Sequence, residues 1–159
     1  LVANDGSSLS SATLATQSDL SIPLGGYERI VGVYTIWYDS DNTNEFSYRV
    51  ANLAQSDGST AVATTIATQS IASDAVITSG ATPTAAGVES TGTYSTNGAG
   101  ITVGIDVGAD TAALFLQVTF NALSTAATKG NLVFQAANIT GSAAGTHLLA
   151  GSHVVYKKF

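Results

Sequence analysis

Apolar residues recur at alternate positions over several short stretches of this chain, and no stretch sustains a helical period. The clearest stretches close the sequence: residues 113–120 (Ala-Leu-Phe-Leu-Gln-Val-Thr-Phe), 131–137 (Asn-Leu-Val-Phe-Gln-Ala-Ala) and 152–159 (Ser-His-Val-Val-Tyr-Lys-Lys-Phe). Each is bounded by Gly, Asn, Ser or Thr, the punctuation of strands. Upstream, residues 27–38 carry apolar side chains on both faces in their second half, as a covered or central strand does. Phe46, Tyr48 and Val50 alternate with Ser47, Arg49 and Ala51. That pattern predicts a half-buried strand, joined to the preceding one as a hairpin through the polar residues 39–45. Val62, Thr64 and Ile66 suggest another strand, 75–78 a shorter one, and Ile101, Val103, Ile105 and Val107 a further one. Residues 82–87 read as a turn, 90–100 as a loop or flexible hairpin, and 122–128 as a turn.

Short strands at this spacing, with turn signals between them, predict an all-β fold, an antiparallel β-sandwich or jelly roll. Residues 1–20 are Ser- and Ala-rich with little periodicity, and are expected to form an extended N-terminal arm or edge strand. Residues 21–159 are expected to form a single β-sandwich domain. The predicted core comprises Val33, Trp37, Phe46, Tyr48, Val103, Leu116, Val118, Phe120, Leu132 and Phe134.

Composition narrows the function classes. Ala, Thr, Ser and Gly supply about half of the 159 residues, which suits thin, closely packed sheets better than a helical enzyme with a deep pocket. There is no Cys, so neither a disulfide nor a thiolate metal site exists. The chain carries five Lys and Arg against eleven Asp and Glu, a net charge of −6. Phosphate recognition needs clustered cations, so no nucleic-acid partner is expected, nor an anionic membrane. No apolar run is long enough to span a bilayer as a helix. The N-terminal Leu-Val-Ala-Asn-Asp-Gly-Ser lacks the basic region and apolar core of an intact signal peptide.

The candidate chemistry is sparse. Asp39, Asp41, Asn44 and Glu45 fall in one loop and can offer oxygen ligands to calcium. The spacing is not that of an EF-hand, and the same residues suit a solvated hairpin tip. Ser152 stands beside His153 and near His147, but no Gly-x-Ser-x-Gly elbow or orienting carboxylate motif accompanies them. No enzymatic activity and no cofactor are expected. Asn138-Ile-Thr140 is a formal glycosylation sequon. Of the aromatic residues around the predicted hairpin, Trp37 and Phe46 read as core. Tyr34, Tyr38 and Tyr48 are interface candidates, together with Tyr94 and His153, because exposed aromatics dominate protein interfaces.

The C-terminal residues 130–138 (Gly-Asn-Leu-Val-Phe-Gln-Ala-Ala-Asn), a short Thr/Gly/Ala loop, and 146–157 (Thr-His-Leu-Leu-Ala-Gly-Ser-His-Val-Val-Tyr-Lys) resemble the ends of small structural proteins of tailed bacteriophages. Residues 34–38, followed by 46–50, are similar to the two-strand opening of that family. The match covers about half the chain, and its motif has no catalytic content. The Pro-containing segment expected soon after the second strand is missing near Ala54, and Pro83 comes later. The resemblance implies a virion component, a capsid decoration or fibre protein at the capsid surface. The major capsid protein would be its partner and a homo-oligomer its working form, with a trimer preferred. A tail or head fibre receptor-binding module and a bacterial surface carbohydrate-binding β-sandwich are the alternative readings.

Overall fold

The computed structural model describes residue 9 and residues 12–39, 46–72, 75–78, 89–107, 114–138 and 146–159. The expected turn at 82–87 and the loop residues 40–45 lie outside them. The described chain forms twelve strands: β1 Ala15–Thr16, β2 Ile22–Leu24, β3 Arg29–Asp39, β4 Phe46–Ala54, β5 Thr64–Ala72, β6 Ala75–Thr78, β7 Glu89–Ser95, β8 Val103–Val107, β9 Leu114–Ser124, β10 Gly130–Asn138, β11 His147–Leu148 and β12 His153–Lys158. A single 3-10 turn, Ser18–Leu20, is the only helical element among the described residues.

The strands form two antiparallel sheets packed as a β-sandwich. The first runs β1-β10-β4-β8-β6, with β2 beside β1 along the same edge of β10. The second runs β11-β3-β9-β5-β7, with β12 beside β11 along β3. From β2 to β11 every successive strand lies in the opposite sheet. This overturns the predicted hairpin between residues 27–38 and 46–51. β3 and β4 are in different sheets, and Tyr38 stacks on Phe46 across the interior at 4.6 Å between ring centroids. A hairpin would place these strands side by side, whereas folding one over the other buries an apolar face of each.

The rings continue as a chain through the core. Phe120 meets Tyr34 at 5.0 Å, Tyr34 meets Phe134 at 5.4 Å, and Phe134 meets Tyr48 at 5.6 Å. Phe46 links Tyr48 to Tyr38. Tyr34, Phe120 and Tyr38 come from the second sheet and the others from the first, so the rings join both layers. Leu116, Val118, Val103 and Leu132 pack around them, as the alternation predicts.

Residues 90–100 were expected to be irregular, yet β7 pairs with β5 along its length. Its Ser- and Thr-rich sequence shows no apolar alternation, but a full ladder holds it, and Thr93 shares a hydroxyl hydrogen bond with Thr68 at 2.7 Å. The turn that follows closes at Gly98, which has φ +77°. Gly98 donates its N–H to Thr64 O and accepts from Asn52 N–H, and a Cβ there would collide with the Val62 carbonyl. Only glycine meets both demands.

Near the N-terminus, β1 pairs with β10 and Gln17 N–H donates to Phe134 O at 2.9 Å. Leu20 and Leu9 join the core cluster.

Candidate functional site

The two sheets differ on their outer faces. On β4 and β10 of the first sheet, most side chains opposite the core are themselves covered: Ser47, Ala51 and Leu53 of β4 and Val133, Gln135 and Ala137 of β10 are buried. Ala51, Leu53 and Val133 form a small second cluster there. Arg49 Nε donates to Gln135 Oε1 at 2.6 Å on the same side. The outer face of the second sheet is open. From Arg29 to Trp37 on β3, from Phe115 to Leu123 on β9 and from Thr65 to Ile71 on β5, each outward side chain is at least partly exposed.

Trp37 lies on this open face, 39% exposed, with its ring 5.2 Å from Phe115 across the β3-β9 pair. Its assignment to the core is therefore corrected, as is that of Val33, which is only partly covered. Ile30, Tyr34, Ile36 and Tyr38 turn inward from the same strand. Because β3 is apolar on both faces, alternation alone could not say which set faces the opposite sheet.

The burial that exposes Trp37 removes three interface candidates. Tyr34, Tyr38 and Tyr48 are core residues and offer no surface to a partner. Burial pushes all three phenols far above their ordinary pKa. Tyr48 donates its hydroxyl to Ser70 Oγ, whereas the Tyr34 and Tyr38 hydroxyls have no partner among the described residues. Tyr94 is 62% exposed on β7, and His153 is partly exposed at the start of β12. These two stay at the surface.

Of the calcium candidates, Asp41, Asn44 and Glu45 lie outside the described residues. Asp39 is committed elsewhere: its Oδ1 accepts from the His147 backbone N–H at 2.9 Å and lies 2.8 Å from His147 Nδ1. Among the described residues no three His, Asp or Glu side chains are grouped as metal ligands.

The structure also resolves the Ser-His pattern into separate tasks. Ser152 is buried, and its Oγ accepts from Trp37 N–H and lies within donating distance of Leu149 O and Trp37 O. His153 Nδ1 faces Gly151 O at 2.8 Å. No hydrogen bond joins either imidazole to Ser152 among the described residues, so the serine holds backbone and is not poised as a nucleophile. Asn138 of the sequon is fully buried.

Cations gather at one end of the open face. Arg29 and Lys157 both lie over the ring of Phe159, at 5.8 and 5.0 Å from its centroid. Lys158 turns to the sandwich edge, where it bonds Pro23 O and pairs with Glu28 at 3.2 Å. The Gly25 N–H, 2.7 Å from Glu28 Oε2, is the main influence holding that carboxyl below its usual range, with Lys158 adding to it against partial desolvation.

No protein-family model and no curated protein sequence matches the chain. No helix among the described residues is long and apolar enough to cross a membrane.

Proposed function

We propose that this chain is a non-enzymatic virion structural protein, a capsid decoration (cement) protein seated on the outer surface of a tailed-phage head, with the major capsid protein as partner. The observation that carries the reading is the C-terminal motif, whose buried residues serve the frame of the fold. Gly130 lies against the Asn52 side chain where a Cβ would clash, Leu132 and Phe134 fill the core, and Ser152 ties the 149–152 turn to β3. A motif spent on packing and turn closure suits a protein whose work is to hold shape on a shell. The net charge of −6 fits a particle surface that must repel its neighbours. A homo-oligomer seated on a symmetric shell site belongs to the same proposal.

Cryo-electron microscopy of the particles tests the reading. Density repeated over the icosahedral shell supports it, and density at the tail alone, or on no particle, overturns it.

One observation favours a second reading. The exposed Trp37-Phe115 pair is the kind of aromatic platform that binds sugars or a receptor, as a fibre module or a bacterial surface carbohydrate-binding domain would. Glycan-array binding lost on Trp37→Ala supports that alternative, and an array without signal removes its carbohydrate form.

A further inference from the structure

The geometry points to the open face of the second sheet as a self-association surface, on which a second copy of this chain packs face to face about a twofold axis.

The first support is the contrast between the sheets. The outer faces of β4 and β10 are mostly buried, while that of the second sheet displays most of the exposed large apolar side chains: Trp37, Ile71, Tyr94, Leu123, Val155 and Phe159 are six of the nine among the described residues. Registered pairs place several of them beside other side chains of the face. Trp37 stands beside Phe115, Val33 beside Val155 and Thr119, and Ala67 beside Tyr94. Single exposed apolar residues are ordinary, but six large ones on one outer face, around an uncharged centre of Thr35, Gln117, Thr119 and Gln69, mark it as an interaction surface.

Charge selects the occupant. The chain has eleven carboxylates, yet Asp39 is the only one on this face among the described side chains, at the far end of β3. Arg29 and Lys157 occupy the opposite end, joined through the Arg29 pair with Leu123 and the Val31 pair with Lys157. Among the described side chains, no Lys, Arg, Asp or Glu lies on the face between these ends. Two copies of net charge −6 repel over most of their surfaces and least here. A twofold axis running across the strands sets β3 over the β3 of the second copy in reverse direction. Arg29 of each chain then lies over Asp39 of the other, and the uncharged centre meets itself.

The area suffices. Five strands at about 4.8 Å and eight residues at about 3.4 Å give a face about 19 by 27 Å. Pairing two such faces buries on the order of 1,000 Å², the threshold of a specific interface. A twofold pair is the closed assembly that this surface supports by itself. A trimer needs a heterologous contact made elsewhere. The inference does not rest on the decoration reading, since location on a particle and self-association are read by separate experiments.

Sedimentation velocity of the full chain over a wide concentration series tests it, with Thr119→Arg as the central variant. Thr119 is exposed on β9 at the middle of the face, so the substitution adds charge to the surface and leaves the core intact. The expected result is a monomer–dimer equilibrium that Thr119→Arg weakens at least about tenfold, the scale of a disrupted interface centre, with an unchanged circular dichroism spectrum. If that variant loses its fold, Gln69→Arg on the neighbouring strand carries the same test. Arg29→Asp, which sets a carboxylate over the Asp39 of the second copy, also weakens the dimer. A chain that stays monomeric at every concentration, a trimer, or an assembly unmoved by the central charge overturns the inference.

Discussion

Ser152 completes the hydrogen bonding of Trp37 where β3 changes partner. The strand pairs with β11 at Tyr38 and Asp39 and with β12 from Thr35 downward. Between these ladders the Trp37 N–H donates to Ser152 Oγ at 2.9 Å, and Trp37 O accepts from Leu149 N–H at 2.8 Å. A side-chain hydroxyl thus stands in for the missing strand and keeps the edge of the second sheet continuous.

Ser152→Ala leaves the Trp37 N–H without this acceptor in a partly buried place. The expected cost is about 1–3 kcal/mol, the penalty for orphaning a buried polar group. Urea unfolding monitored by tryptophan fluorescence measures it directly, since the chain has one Trp. Ser152→Thr, which retains the hydroxyl, is expected to recover part of the loss.

The buried tyrosines divide by their hydroxyls. Tyr48→Phe removes the donor to buried Ser70 and is expected to cost about 1 kcal/mol. Tyr34→Phe removes a buried hydroxyl with no partner among the described residues, so it is expected to be neutral or slightly stabilising. Equal losses in both variants would contradict this division.

Burial raises the folded-state pKa of Tyr34, Tyr38 and Tyr48 above the unfolded value. Their contribution to stability is therefore complete below the unfolded phenol pKa of about 10 and declines as pH rises beyond it. Spectrophotometric titration is expected to show these phenols ionising only together with loss of the fold. Ionisation in a still-folded chain would mean that water reaches them.

Glu28 works in the opposite direction. Its folded pKa is lowered, first by the Gly25 N–H, so its contribution is present above the unfolded carboxyl value of about 4.3 and is lost as pH falls through the folded one. Glu28→Gln is expected to lower stability at neutral pH by less than about 1 kcal/mol. The difference from wild type should vanish in acid. A difference that persists there would assign the effect to packing.

Exposure sets the cost of aromatic truncation. Trp37→Ala is expected to cost about 1 kcal/mol, because its ring rests on Phe115 with water on one side. Phe134→Ala, which opens the centre of the ring chain, is expected to cost about 3–5 kcal/mol. Denaturant midpoints of the two variants in parallel provide the comparison.

Much of the frame was legible in the residues, and the misreadings have identifiable causes. Alternation located β4, β8, β9 and β10 because each carries a regularly spaced apolar set on its core face. It missed β7, where Gly and Thr give no apolar contrast and the strand exists through its pairing with β5. For the interaction surface, the signal lay in the odd positions of β3, where Val31, Val33 and Trp37 oppose Ile30, Tyr34, Ile36 and Tyr38. Both sets are apolar, so the sequence marked two faces without ranking them.

From sequence alone came the all-β sandwich class, the strands with clean alternation and the net negative charge, because these depend on local period and composition. Tertiary structure alone decided that β3 and β4 lie in opposite sheets, that Tyr34 is core and Trp37 surface, and that β4 and β10 are largely covered on both sides while the outer face of the second sheet is open. These outcomes depend on which strands come to face each other across the sandwich. That is a property of long-range packing, to which a two-residue period is blind.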